Sequence, residues 1–250
     1  MWTFLHRLAS PPHFYALAAR LIPWLAGGAI LAIGYGAIAG LFFAPPDYQQ
    51  GDAFRIIYVH VPSAYLSMLA YFVMAVAAGI GLVWRMKLAH AVAASAAPLG
   101  AWFTFLALLT GSIWGRPMWG TWWEWGDPRL TSELLLLFLY FGYIALRSAI
   151  DDTAKADRAS AVLAMVGAVN LPIIHFSVEW WSSLHQGPTL IRAGGPAITP
   201  AMLWPLLAMI AGFSLLFGAL LLDRVRSEVL VRERRARWVR NLMYSGQEPS

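Results

Sequence analysis

The chain has 250 residues, of which 59% are hydrophobic and only 12% charged, with a mean hydropathy of +0.59. A soluble domain of this size carries about twice that charge, so the composition points to an all-α integral membrane protein with several spans. The absence of cysteine excludes disulfides, thiolate metal sites and the Cys-x-x-Cys-His run that attaches c-type haem.

Six apolar stretches reach the ~20 residues that a helix needs to cross a bilayer core. They are residues 21–43, 61–84, 92–113, 130–149, 159–179 and 201–222, predicted to form one polytopic membrane domain. The first is preceded by Arg20 and contains Ala37-Ile38-Ala39, which resembles a cleavage site. Its apolar run is nevertheless longer than the ~7–15 residues of a signal-peptide core, which predicts a retained helix. The first three spans contain no charge, and Glu133, Arg147 and Glu179 lie near span ends, where a charge can reach the interface.

The connections carry the unusual residues. Between the first two spans, Pro45-Pro46, Asp52 and Arg55 lead to Tyr58-Val59-His60-Val61-Pro62. Pro62 suits the first turn of a helix, which places His60 at the mouth of the second span. Between the third and fourth spans runs Trp114 to Ser132. Five of the chain's thirteen tryptophans stand between Trp114 and Trp125, interleaved with Gly115, Pro117, Gly120 and Arg116. The stretch is too broken for a spanning helix and too aromatic for an ordinary loop, so it is predicted to lie at a membrane surface. After the fifth span come Glu179-Trp180-Trp181, Ser182-Ser183 and His185-Gln186-Gly187-Pro188. His175 sits about one turn inside that span, and an interhelical hydrogen bond accounts for it and Asn170. The basic tail 223–250 follows the sixth span. It is either an amphipathic helix along the inner leaflet or a topological anchor that continues the span.

Four of the eighteen Lys and Arg residues, Arg55, Arg116, Arg129 and Arg192, fall on one side of this layout, and the other fourteen fall opposite. The positive-inside rule makes the richer side cytoplasmic, with both termini there and the Trp-rich segment outside. Seven of the basic residues lie between Asp223 and Arg240, so the net charge of +5 is a topological signal and not a nucleic-acid groove.

Of the six histidines, His60 and His185 belong to the outer connections and flank the Trp-rich segment. Neutral imidazole ligates haem iron, indoles offer flat apolar surface to a porphyrin, and arginines pair with propionates. The residues therefore fit a bis-histidine haem platform, with a packed and inert outer cap as the competing reading. There is no His-Glu-x-x-His, Gly-x-Ser-x-Gly or Walker-type loop, so protease, hydrolase and ATPase readings lack a motif. A respiratory b-type cytochrome needs histidine pairs within its spans, and only His175 is intramembrane.

Trp119-Gly120-Thr121-Trp122-Trp123-Glu124-Trp125-Gly126-Asp127-Pro128-Arg129-Leu130-Thr131-Ser132 resembles the WWD signature of the haem-handling protein superfamily. Together with Tyr58 to Ala64 and His175 to Gly187, it is similar to the CcmC family of cytochrome c maturation proteins over nearly the whole chain. One residue departs from the pattern: Gly126 separates Trp125 from Asp127, where the family sets the aspartate directly after the tryptophan. The resemblance implies non-covalent haem b held at the periplasmic face of the bacterial inner membrane. His60 and His185 would be its axial ligands. Trp119, Gly120, Trp122, Trp123, Trp125 and Asp127 would border the ring, and Arg129, then Arg55, would meet the propionates. It also implies delivery to the haem chaperone CcmE, whose histidine bonds to a haem vinyl group, beside the CcmA–CcmB ATP-binding-cassette pair and the small CcmD. Such a protein presents a cofactor more than it catalyses a reaction. A haem transporter across the inner membrane is the alternative, and it asks for a polar path through the spans.

Overall fold

The computed structural model describes residues 10–185 and 198–245, and these residues are helical with short connections. Helix α1 (Pro11–Ile38) ends in a π turn, Ala39–Phe43, and a 3-10 turn, Asp52–Ile56, runs directly into α2 (Ile57–Trp84). There follow α3 (Lys87–Trp119), α4 (Pro128–Ser148), α5 (Thr153–Gly167), α6 (Asn170–Trp180), α7 (Pro200–Arg232) and α8 (Arg237–Ser245). Six segments are long and apolar enough to cross a membrane: Pro11–Phe43, Asp52–Trp84, Lys87–Trp119, Pro128–Ser148, Thr153–Trp180 and Pro200–Arg232.

Helix α2 lies along α3, and α1 lies along α7, while α4 packs against α3, α5 and α6. The core between α2, α3 and α4 is built on Leu66, Tyr71, Met74, Leu136 and Tyr140, none of which is exposed. Small residues on α3 let its neighbours approach, as expected where lipid gives helices no hydrophobic incentive to associate. At Gly100 the approach is closest, because a Cβ there would lie 2.0 Å from the Tyr140 hydroxyl. That hydroxyl crosses to α2 and donates to the Ser67 carbonyl at 2.8 Å.

Three differences from the sequence expectation stand out. Helix α1 starts ten residues early, with proline in its first turn, where a missing N–H costs nothing. Helix α3 continues through Gly115 and Pro117 to Trp119, so the first six residues of the segment read as broken are helix. Proline removes only one hydrogen bond near a helix end, and the chain stops where Gly120 adopts φ 77°, its N–H returning to the Arg116 carbonyl at 3.2 Å. The fifth span is two helices, interrupted between Gly167 and Asn170. There the Asn170 amide donates to the Ser132 carbonyl on α4 at 2.9 Å, an interhelical bond. His175, by contrast, is exposed on the outside of α6 and meets only the neighbouring Phe176 ring edge-on.

The tail is helical in two pieces. Helix α7 continues to Arg232, burying Val225 and Val229 against Ala91, and a separate short helix, α8, follows. At this end Arg147 of α4 donates to Asp157 of α5 and, at 2.8 Å, to Glu228 of α7. Arg232 donates to both oxygens of Asp157, at 2.8 and 3.0 Å, and to Glu228 at 2.8 Å. Two cations and two carboxylates thus pin three helices together.

Candidate functional site

At the opposite end, the start of α2, the end of α3 and the start of α4 surround one pocket, closed by the connection after α6. His60, Arg129, Glu133 and His185 line it together with Ala64, Met68, Ala107, Leu108 and Leu130. Residues from four separate parts of the chain therefore face one space.

His60 lies in the first turn of α2 and not in a connection, because the 3-10 turn Asp52–Ile56 already begins the helical run. Pro62 falls inside that helix, leaving the Tyr58 carbonyl without its usual N–H partner. The His60 Nδ1 lies 3.0 Å from the Thr110 hydroxyl of α3. Thr110 gives its only proton to the Leu106 carbonyl at 2.6 Å, so it must accept from Nδ1–H. In that tautomer the ring's lone pair is on Nε2. Trp114 meets the imidazole edge-on at 5.6 Å, and its own N–H is tied to Gln50 at 2.9 Å.

His185 is held in the same manner. Its Nδ1 lies 3.5 Å from an oxygen of Asp127 and 3.5 Å from the Ser183 hydroxyl. Ser183 spends its proton on Asp127 at 2.7 Å, so on the Nδ1 side both neighbours are acceptors. The His185 Nε2 has no hydrogen-bond partner among the described residues. Burial and the nearby Arg129 guanidinium hold the His185 pKa below its ordinary value, against the pull of Asp127, so the ring is a neutral imidazole. The Trp119 ring lies 5.0 Å from it.

Asp127 is the node of this arrangement. It is 2% exposed and caps α4, accepting from the Arg129 and Leu130 N–H groups at 3.0 Å with one oxygen. Its other oxygen accepts from Ser183 and, at 2.8 Å, from the Leu184 N–H. Burial alone would raise its pKa, but those donors outweigh it and hold the carboxyl below the usual range. Gly126 lies in a turn directly before the aspartate. In it the Asp127 N–H returns to the Glu124 carbonyl at 3.1 Å.

The tryptophans divide by direction. Trp122 and Trp125 are 57% and 73% exposed, whereas Trp123 packs against the core with its N–H buried and without a partner. Gly120 is the left-handed stop between α3 and this turn. Of the basic residues expected on the outer side, Arg55 is occupied by Asp52 and the Gly40 carbonyl, and Arg116 by the Gly120 carbonyl. Arg192 lies outside the described residues. Arg129 alone of the other three has a guanidinium with no hydrogen bond or ion pair among the described residues, and it faces the pocket. Glu133 is the residue that sequence reasoning placed only as a span-end charge. It lies one turn below Arg129, 7% exposed, with one carboxyl oxygen lacking a partner. An acid four residues after an arginine in an apolar span is the signal that was available for it.

These groups suit an amphiphilic ring with a metal centre and carboxylate arms: two imidazole nitrogens, an unpaired cation and indoles at the rim. The space between them is about 30 Å³, which matches one water and is smaller than a porphyrin. The family model for CcmC, described as Heme exporter protein C, matches residues 4–240. The chain belongs to the CcmC family. It is similar to the Heme exporter protein C of Escherichia coli K12, 55% identical over 243 residues that cover 97% of this chain and 98% of that one. The protein of the same name from Bradyrhizobium diazoefficiens is 52% identical over 92% of this chain and 86% of its own length. That from Haemophilus influenzae is 49% identical over 97% and 98%. Family membership thus covers both halves of the pocket, the α2–α4 end and the connection bearing His185.

Proposed function

We propose that this protein handles haem for cytochrome c maturation, holding non-covalent haem b between His60 and His185 and passing it to the chaperone CcmE. The observation that carries the reading is the paired tethering of the two imidazoles: each is anchored at Nδ1 and offers Nε2 to one shared pocket. Bound there, haem would supply an iron with two axial positions for nitrogen. Thr110 and Asp127 orient the rings and raise their basicity, as outer-shell acceptors do for metal-bound histidine. Arg129 meets a propionate, while Trp119 and Trp114 shield the ligands from water. Trp122 and Trp125, turned outward, flank the ring edge that a chaperone must reach. The charge bias of the connections supports this end lying at the periplasmic face of the bacterial inner membrane, with CcmA, CcmB and CcmD as the expected neighbours.

The word exporter in the relatives' name favours a second reading, transport of haem across the bilayer. A path through the bundle would have to pass the unexposed Leu66, Tyr71, Met74 and Tyr140. Inverted vesicles separate the two readings. Haem presented outside and recovered in the lumen supports transport, and a His175→Leu loss of luminal haem with intact binding would place α6 on its route. Purified protein tests the main reading: a Soret band in the wild type and none in the His60→Ala, His185→Ala double variant is expected. An unchanged band in the double variant would remove both histidines from the site.

A further inference from the structure

A cavity larger than the histidine pocket lies at the other, basic end, and nothing in the haem reading uses it. It holds about 320 Å³ between α3, α4, α5 and α7, roughly ten waters' worth of space. Its lining is graded. Arg147, Ser148 and Thr153 sit at helix ends, Glu228 and Arg224 lie one and two turns inside the end of α7, and Ala94, Pro98 and Ile144 form the apolar wall on α3 and α4. Pro98 has no N–H, so the Ala94 carbonyl lacks its usual helical donor on the same wall.

The charges at the mouth are unevenly satisfied. Arg147 is shared between Asp157 and Glu228, and Arg232 closes that network from behind. Arg226, two residues from Arg224, is turned away over the Tyr15 ring at 4.3 Å. Arg224 is exposed and, among the described residues, has no hydrogen bond or ion pair, yet it lines the cavity. A spare guanidinium thus stands over hydroxyl groups and an apolar inner wall, at the end of six membrane-length helices.

We propose that this cavity binds the phosphate of a membrane phospholipid, with Arg224 pairing to the phosphate and the glycerol and first acyl carbons lying on Pro98 and Ile144. Basic pockets between spans at the positively charged end of a membrane protein are suited to such headgroups. The volume exceeds what a lone ion needs and accommodates a phosphodiester with its glycerol. A seated lipid would bridge the α4–α5 turn to α7 and reinforce the ion network beside it.

Full-length protein stripped of lipid in detergent tests this directly. Phosphatidylglycerol, diacylglycerol or inorganic phosphate is added, and retained ligand is measured by native mass spectrometry with thermal unfolding in parallel. One phosphatidylglycerol per chain is expected, with affinity reduced about fivefold in Arg224→Gln, the effect of one arginine near a headgroup. Arg224→Lys, which keeps the charge, is expected to retain most of the binding. Arg158→Gln, exposed at the same end but outside the cavity, is expected to retain all of it. Equal retention by wild type and Arg224→Gln overturns the proposal. So does diacylglycerol binding as well as phosphatidylglycerol, which would mean an apolar groove. Inorganic phosphate binding in place of the lipid overturns it as well, by making this a soluble-anion site. None of these outcomes bears on haem binding at the opposite end.

Discussion

Asp127 serves three structures with two oxygens: it caps α4, fastens the connection after α6, and lies beside the His185 ring. Asp127→Ala would remove the cap and orphan the Leu184 N–H, an expected loss of about 2 kcal/mol in detergent unfolding experiments. It should also weaken haem binding about 10- to 100-fold, the usual cost of losing an outer-shell partner. A haem titration that gave wild-type affinity would reduce Asp127 to a helix cap. The pH dependence has a definite sign. His185 has a lowered pKa, so it stays neutral as pH falls through its ordinary 6.5. Haem affinity is therefore expected to be level across pH 6.5 and to decline only below it. The same shift makes the fold progressively less stable below pH 6.5, where the unfolded chain takes up a proton that the folded one resists. Asp127 acts lower down: its lowered pKa gives stability that is present above the usual carboxylate range and disappears as pH falls through the shifted value.

The helices show what could and could not be read from sequence. Hydropathy locates all six spans, because a run of apolar residues has few alternatives to a helix in lipid. It does not locate their ends. Pro117 and Gly115 argue for a break, but the stop is set by the positive φ of Gly120. The break at Asn170 was equally hidden, since it depends on a carbonyl at Ser132, 38 residues away. For the site, His60, His185 and Arg129 are legible from residue type and position. The Thr110 contact is not, because it joins residues 50 apart across two helices. Helix contact also sets a sharp steric prediction. Gly100→Ala would drive a methyl group into the Tyr140 ring, and an overpacking cost of about 1–3 kcal/mol is expected as a lowered Tm.

At the level of the whole molecule, the two ends of the bundle are built for different tasks. One gathers imidazoles, indoles and an unpaired arginine; the other gathers an ion network under a basic surface. Asp157→Asn would leave Arg147 and Arg232 under-compensated in a largely buried setting, so a loss of about 3 kcal/mol or more is expected on thermal unfolding. Orientation has its own test, and the cysteine-free sequence makes it clean. A thiol at Trp122→Cys in intact spheroplasts should react with an impermeant maleimide, and one at Ser227→Cys should react only after lysis. The reverse pattern would turn the molecule over and put the pocket on the cytoplasmic side.

The central claim is that both imidazoles reach one haem through Nε2, and electron paramagnetic resonance of haem-loaded protein tests it most directly. Wild-type ferric haem should give a low-spin spectrum of two imidazole ligands. His60→Gly and His185→Gly, taken singly, should each turn high-spin and return to low-spin when imidazole is added. If either single variant keeps the wild-type spectrum without added imidazole, that histidine is not a ligand and the shared-pocket account is contradicted.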